Sequence, residues 1–261
     1  MGGGETAAHD PKRTPVLELK GVSKHFGAVQ ALTEVDFEVF PAEVVALVGD
    51  NGAGKSTLIK TIAGAHAPDS GSIFFEGEEV KIHSPADATR LGVETVYQDL
   101  ALCDNLDVVG NMFLGRERAK PKGLGPLDEL AMEKRALEVL SGLNVTTIGS
   151  VRTPVAGLSG GQRQLVAISR AVMWNSKIVV LDEPTAALGV AQTAQVVALI
   201  KRLREQGLGV VVITHNIQEV FEVADRIIVL RLGRRVATFD HAETTPEQVV
   251  GAIMGARQVA A

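Results

Sequence analysis

The chain has 261 residues, 46% of them hydrophobic and 22% charged, with a formal net charge of −5. Such a composition can bury a core and excludes a disordered chain. The acidic balance speaks against a non-specific binder of nucleic acid or anionic membrane, which needs a basic face. The single cysteine, Cys103, rules out a disulfide frame and an all-cysteine zinc cluster. It is expected to be a small buried hydrophobe in a reducing compartment.

In chain order, the opening MGGGETAAHDPKRTP lacks the apolar stretch of a secretory signal, and residues 1–14 are expected to form a disordered tail. No apolar run approaches the ~18 residues of a membrane span, so the chain is not expected to cross a membrane by itself. VDFEVF at 35–40 alternates, with Val35, Phe37 and Val39 on one face and Asp36 and Glu38 on the other. This predicts an antiparallel strand with one wet face. The runs VVALV (44–48), IVVL (178–181) and VVVI (210–213) are uniformly apolar, as central parallel strands covered on both faces are. Short strands alternating with helical patterns predict an α/β fold.

GDNGAGKST at 49–57 lies between the apolar strand and the helical stretch STLIKTIAG, and satisfies G-x-x-x-x-G-K-[ST]. Its residues are Gly49, Asp50, Asn51, Gly52, Ala53, Gly54, Lys55, Ser56 and Thr57. Gly52 and Gly54 permit backbone angles that turn successive N–H groups inward on an anion, and the following helix adds its positive N-terminus. Lys55 is placed to hold the β- and γ-phosphates of a nucleotide and the Ser56 hydroxyl to coordinate Mg²⁺.

Between about 100 and 172 helical patterns dominate, in DVVGNMFLG and DELAMEKRALEVLSGL, separated by the loop KPKGLGP at 120–126. This predicts a helical subdomain inserted into the sheet. Its last helix opens with LSGGQ at 158–162, a second helix N-terminus at which the Ser159 hydroxyl and the N–H groups of Gly160 and Gly161 face an anion. It has no lysine. IVVLDEP at 178–184 then ends a buried strand in Asp182 and Glu183, at the edge where open parallel sheets gather ligands. Successive strand residues point opposite ways, so Asp182 can meet Mg²⁺ while Glu183 reaches an attacking water as general base. Two ordinary solvated acids are the bland alternative, weakened by the phosphate loop.

Taken together, GDNGAGKST, VYQD with Gln98, LSGGQ, LDEP at 181–184 and ITH with His215 resemble, in this order, the ATP-binding subunits of ABC transporters, over roughly residues 15–255. The resemblance implies a P-loop NTPase (RecA-like) core at about 15–99 and 173–261. An antiparallel β subdomain and a helical subdomain at about 100–172 would complement that core. It implies that Gln98 contacts Mg²⁺ and the attacking water, that His215 senses the γ-phosphate, and that Phe26 stacks on adenine. Read alone, these would be a surface glutamine, a structural histidine and a core aromatic. It further implies that Ser159, Gly160, Gly161 and Gln162 bind the γ-phosphate held by a second copy, so that two subunits pair head to tail over two ATP molecules.

GDNGAGKSTLIK, VYQDLAL, NMFLGRE and EPTAALG most resemble ATPases of monosaccharide importers of the fructose, ribose and xylose type. That implies transmembrane permease subunits as partners, an extracytoplasmic sugar-binding protein acting indirectly, and a place on the cytoplasmic face of the inner membrane. One departure stands out. Where the family often shows S-A-L-D, this chain has Gly189 in place of the aspartate, which puts symmetrical coupling of two sites in question. A soluble ATPase acting on DNA or ribosomes is the alternative. It is disfavoured by the about 60 positions between Gln98 and Leu158, too few for coiled-coil arms, and by the negative charge. A binding-only module is disfavoured by Asp182, Glu183 and His215.

Overall fold

The structure is a computed structural model and describes residues 14–120 and 125–255. The expected tail, apart from Thr14, and positions 121–124 of the expected loop lie outside the described residues. The chain opens with β1 (Leu17–Phe26), β2 (Val29–Val39) and β3 (Glu43–Val48), followed by α1 (Lys55–Ile62). Next come β4 (Ser70–Phe75), β5 (Glu78–Val80), α2 (Pro85–Leu91) and β6 (Val93–Val96). Three helices follow: α3 (Val108–Phe113), α4 (Glu129–Gly142) and α5 (Gly160–Val172). The last third holds β7 (Ile178–Asp182), α6 (Val190–Glu205), β8 (Gly209–Ile213), α7 (Ile217–Val223), β9 (Arg226–Arg231), β10 (Arg234–Asp240) and α8 (Pro246–Met254). Among the described residues no helix is long and apolar enough to cross a membrane.

Two sheets result. The larger has the order β10-β9-β3-β8-β7-β6, parallel except for β10. Every residue of β3 and β8 is buried, the condition under which a strand keeps no polar face. The smaller sheet is antiparallel, β2-β1-β4-β5. On β2, Val35, Phe37 and Val39 are buried and Asp36 is exposed, as the alternation predicts. Glu38 differs: it is half-buried, because Arg226 of β9 donates to its carboxylate at 2.9 Å and to its carbonyl at 2.8 Å.

The same guanidinium donates to Glu43 Oε1 at 2.8 Å, and Glu43 Oε2 accepts the Phe40 N–H at 2.9 Å. One arginine thus joins the two sheets, and Glu43 is buried. Removing one partner of such a pair leaves an uncompensated charge. Arg226→Ala is expected to cost about 3 kcal/mol and lower the melting temperature by about 8 °C, read by calorimetry. An unchanged melting curve would show the pair to be idle.

α3 and α4 pack through Val108, Val109, Met112 and Phe113 against Met132, Ala136 and Leu140. Arg152 bridges Asp107 at the start of α3 to Glu129 and Glu133 of α4. α5 is shared between two cores: Val166 faces this helical cluster, while Leu165 and Ile168 pack with Val179 and Leu181 of β7. Cys103 is half-buried rather than fully so. Its backbone is what the fold uses, since buried Asn111 accepts its N–H at 2.7 Å and donates to its carbonyl at 3.0 Å.

Candidate nucleotide site

The phosphate loop runs from Gly49 to Gly54, between β3 and α1. Its glycines have separable reasons. Gly52 (φ +79°) has open space around it and needs only the angle. At Gly49 (φ +150°) a methyl would lie 2.2 Å from the Leu230 carbonyl oxygen, and at Gly54 (φ +104°) 2.8 Å from that of Ala31. These two positions therefore also need the room. A hairpin clamps the loop from behind: Gly233 N–H donates to Ala53 O at 3.0 Å, and Gly233 O accepts the Thr33 N–H at 2.8 Å.

No side chain caps α1, so the N–H groups of its first turn are free to meet an anion. Lys55 is half-buried and folds back on its own loop, with Nζ donating to Gly49 O at 2.5 Å and Asp50 O at 3.0 Å. Burial pushes its ammonium below the ordinary lysine value, against the opposing pull of Glu183, Asp50 and Asp182. Ser56 and Asn51 are exposed at the loop.

β7 carries the carboxylates to the same sheet edge. Burial, followed by the neighbouring Glu183, raises the Asp182 carboxyl above the usual range, while Lys55 and Lys60 pull it down. Glu183 adopts φ +50°, a conformation that costs a non-glycine residue and gathers at functional sites. Its N–H donates to Ile213 O at 2.9 Å at the end of β8, and its Oε1 lies 3.0 Å from His215 Nδ1. That hydrogen bond and the Glu183 charge raise the His215 imidazole above its ordinary value. A cleft of about 510 Å³ opens beside the pair, lined in part by Thr185, Leu188 and Asn216.

Gln98 is exposed, two residues beyond β6, whose Val96 pairs with Leu181 of β7. The turn after it is held by Arg170 of α5, whose guanidinium donates to Leu100 O and Ala101 O, each at 3.0 Å. Phe26 is 44% exposed and not core. It closes β1 opposite Val29, itself 65% exposed, and meets His66 edge-on with ring centroids 5.2 Å apart.

Ser159 caps α5, its Oγ accepting the Gln162 N–H at 3.3 Å while Gln162 Oε1 accepts the Ser159 N–H at 2.9 Å. Gln162 also donates to Thr147 O at 2.7 Å. Among the described residues no hydrogen bond or ion pair joins 159–162 to the phosphate loop. One chain therefore brings together Lys55, Asp182, Glu183 and His215, and leaves the Ser159 corner apart.

The sequence reading missed three residues at the site. Val29 and His66 flank Phe26, and neither belongs to any of the sequence motifs. Tyr97, next to Gln98, has its hydroxyl pushed up by burial and by Asp182. Adjacency to Gln98 was the only signal for Tyr97.

A family model described as ABC transporter matches residues 32–186. Fructose import ATP-binding protein FrcA of Rhizobium meliloti is 48% identical over 94% of this chain and 95% of its own length. Xylose/arabinose import ATP-binding protein XylG of Sulfolobus acidocaldarius is 47% identical over 90% and 92%. Ribose import ATP-binding protein RbsA 1 of Rubrobacter xylanophilus is 42% identical over 92% of this chain but only 47% of its own length.

Among solved structures, a nucleotide-free ATP-binding cassette from an ABC transporter superposes with a TM-score of 0.79 at 26% identity, covering 94% of this chain and 97% of that one. A dimeric bacterial ABC transporter cassette gives 0.72 at 28%, covering 86% and 98%. The α/β architecture is thus that of a P-loop ATPase core. The loop, the carboxylates and LSGGQ fall inside or beside a match that the relatives extend over nearly the whole sequence, and the chain belongs to the ABC transporter family as an ATP-binding, ATP-hydrolysing subunit.

Proposed function

We propose that two copies of this chain close head to tail over two ATP molecules and so drive a separate membrane permease that imports a monosaccharide. The observation that carries this is the division just described: Lys55, Asp182, Glu183 and His215 gather together, while the capped N-terminus of α5 at Ser159–Gly161 makes no hydrogen bond or ion pair with the phosphate loop among the described residues. The names of the fructose, xylose/arabinose and ribose relatives support the substrate class. An extracytoplasmic sugar-binding protein would deliver the sugar, and the subunit would lie on the cytoplasmic face of the inner membrane, held by the permease. The helical subdomain at 100–172 is its dock in this reading.

Lys55 and the first-turn N–H groups of α1 bind the β- and γ-phosphates, and Phe26 with Val29 offers an apolar platform to adenine. Glu183 takes the proton of a water whose oxygen bonds to the γ-phosphorus as the bond to the ADP oxygen breaks. His215 orients that carboxylate. The donor set fits Mg²⁺: a hydroxyl, Ser56, an amide, Gln98, and a carboxylate, Asp182, whose burial beside Glu183 leaves negative charge in need of a cation. When bound, the ion would neutralise charge on the phosphates.

Since Ser159 acts across the interface, Ser159→Arg is expected to weaken ATP-driven dimerisation at least about tenfold, roughly the cost of one lost charge-assisted contact. Nucleotide binding by the monomer should survive. A gel-filtration dimer as abundant as that of the unaltered protein would refute the head-to-tail arrangement.

A further inference from the structure

We infer that Gln192 is a positioning residue that ties the loop after the carboxylates to the Ser159 turn of the same chain. Gly189 caps α6 without a side chain, and Gln192 Oε1 reaches back to accept its N–H at 3.2 Å. The stem of the same side chain lies on α5: a methyl at Gly161 would sit 2.8 Å from both Cβ and Cγ of Gln192. Leu188 presses in beside it, 3.4 Å from where a methyl at Gly160 would be.

Neither glycine has a positive φ, so the glycine at 161 serves this contact and not a backbone angle. At its other end the loop starts from Glu183, pinned to His215 and Ile213 O. Thr185 anchors its middle by donating to Glu219. The inference rests on the composite-site reading. Glu183 acts on the chain's own ATP while Ser159 serves the partner's, so movement of 183–189 on phosphate loss reaches the second site through Gln192.

The test compares ATP hydrolysis against ATP concentration, and ATP-driven dimerisation by sedimentation, in the full chain. Gln192→Ala is expected to lower the Hill coefficient from about 2 to about 1 and weaken the dimer about tenfold, with monomer affinity for ATP kept within about twofold. Gln192→Glu keeps both the stem and the accepting oxygen and should restore cooperativity; a melting temperature unchanged in Gln192→Ala separates lost coupling from a structural defect.

Gly161→Ala should impair dimerisation by meeting Gln192. Combined with Gln192→Gly, which removes both the Cβ and the Cγ that the methyl would meet, the loss should be smaller than the sum of the two single losses, because the contact is relieved. A cooperative Gln192→Ala protein, a Gln192→Glu protein as defective as the alanine, or additive losses in the double variant would overturn the inference alone. An unaltered protein that shows neither cooperativity nor an ATP-driven dimer would overturn the composite site, and this inference with it.

Discussion

Glu183→Gln is expected to reduce ATP turnover by about 10²-fold or more while leaving ATP binding intact, the loss typical of removing a positioned general base. The substitution is nearly isosteric. It keeps the backbone at φ +50° and the N–H bond to Ile213, so the end of β7 should not move. What disappears is the proton acceptor. The variant should accumulate as an ATP-bound dimer, since closure no longer ends in hydrolysis. Turnover within a few-fold of the unaltered rate would remove Glu183 from the role of base.

The same variant has a second readout. The His215 imidazole is raised first by its hydrogen bond to Glu183 and then by that residue's charge. A raised histidine contributes stability at pH below its unfolded value and loses it as pH climbs through the folded one. With glutamine at 183 the raising charge is gone, so the His215 titration followed by NMR should move down towards the ordinary value. An unmoved titration would mean that the 3.0 Å contact is not what sets it.

The elements legible in the sequence were those whose signal is local. The uniformly apolar runs 44–48, 178–181 and 210–213 became the bodies of β3, β7 and β8, because both faces of those positions are buried. The phosphate loop was legible because its glycines, lysine and flanking elements are contiguous. What stayed hidden depends on residues far apart in the chain. Glu38 looked solvent-facing by alternation, yet Arg226, 188 positions later, covers it. Phe26 owes its neighbour His66 to the close approach of the β1 end to the turn after α1, which no spacing rule reports. Gly161 reads as a donor of N–H groups, and no local pattern shows that a methyl there would also sit 2.8 Å from Gln192 on another helix.

Lys55→Ala should weaken ATP binding by about 10²-fold, from the loss of charge-assisted hydrogen bonds worth about 3 kcal/mol in total. The ammonium is bonded to the Gly49 and Asp50 carbonyls rather than to a carboxylate. An incoming phosphate therefore competes with two neutral acceptors and not with an ion pair. Three carboxylates pull on the group from nearby, yet burial outweighs them and lowers its proton affinity. Lys55→Arg should not rescue, because a planar guanidinium fork cannot enter a loop that presents carbonyls to a compact ammonium. The readout is a nucleotide titration alongside a melting curve. Unchanged affinity in a folded alanine variant would overturn the assignment of 49–57 as the phosphate site. A matching loss in alanine and arginine variants, with melting temperatures kept, would fix the ammonium itself as the group that binds.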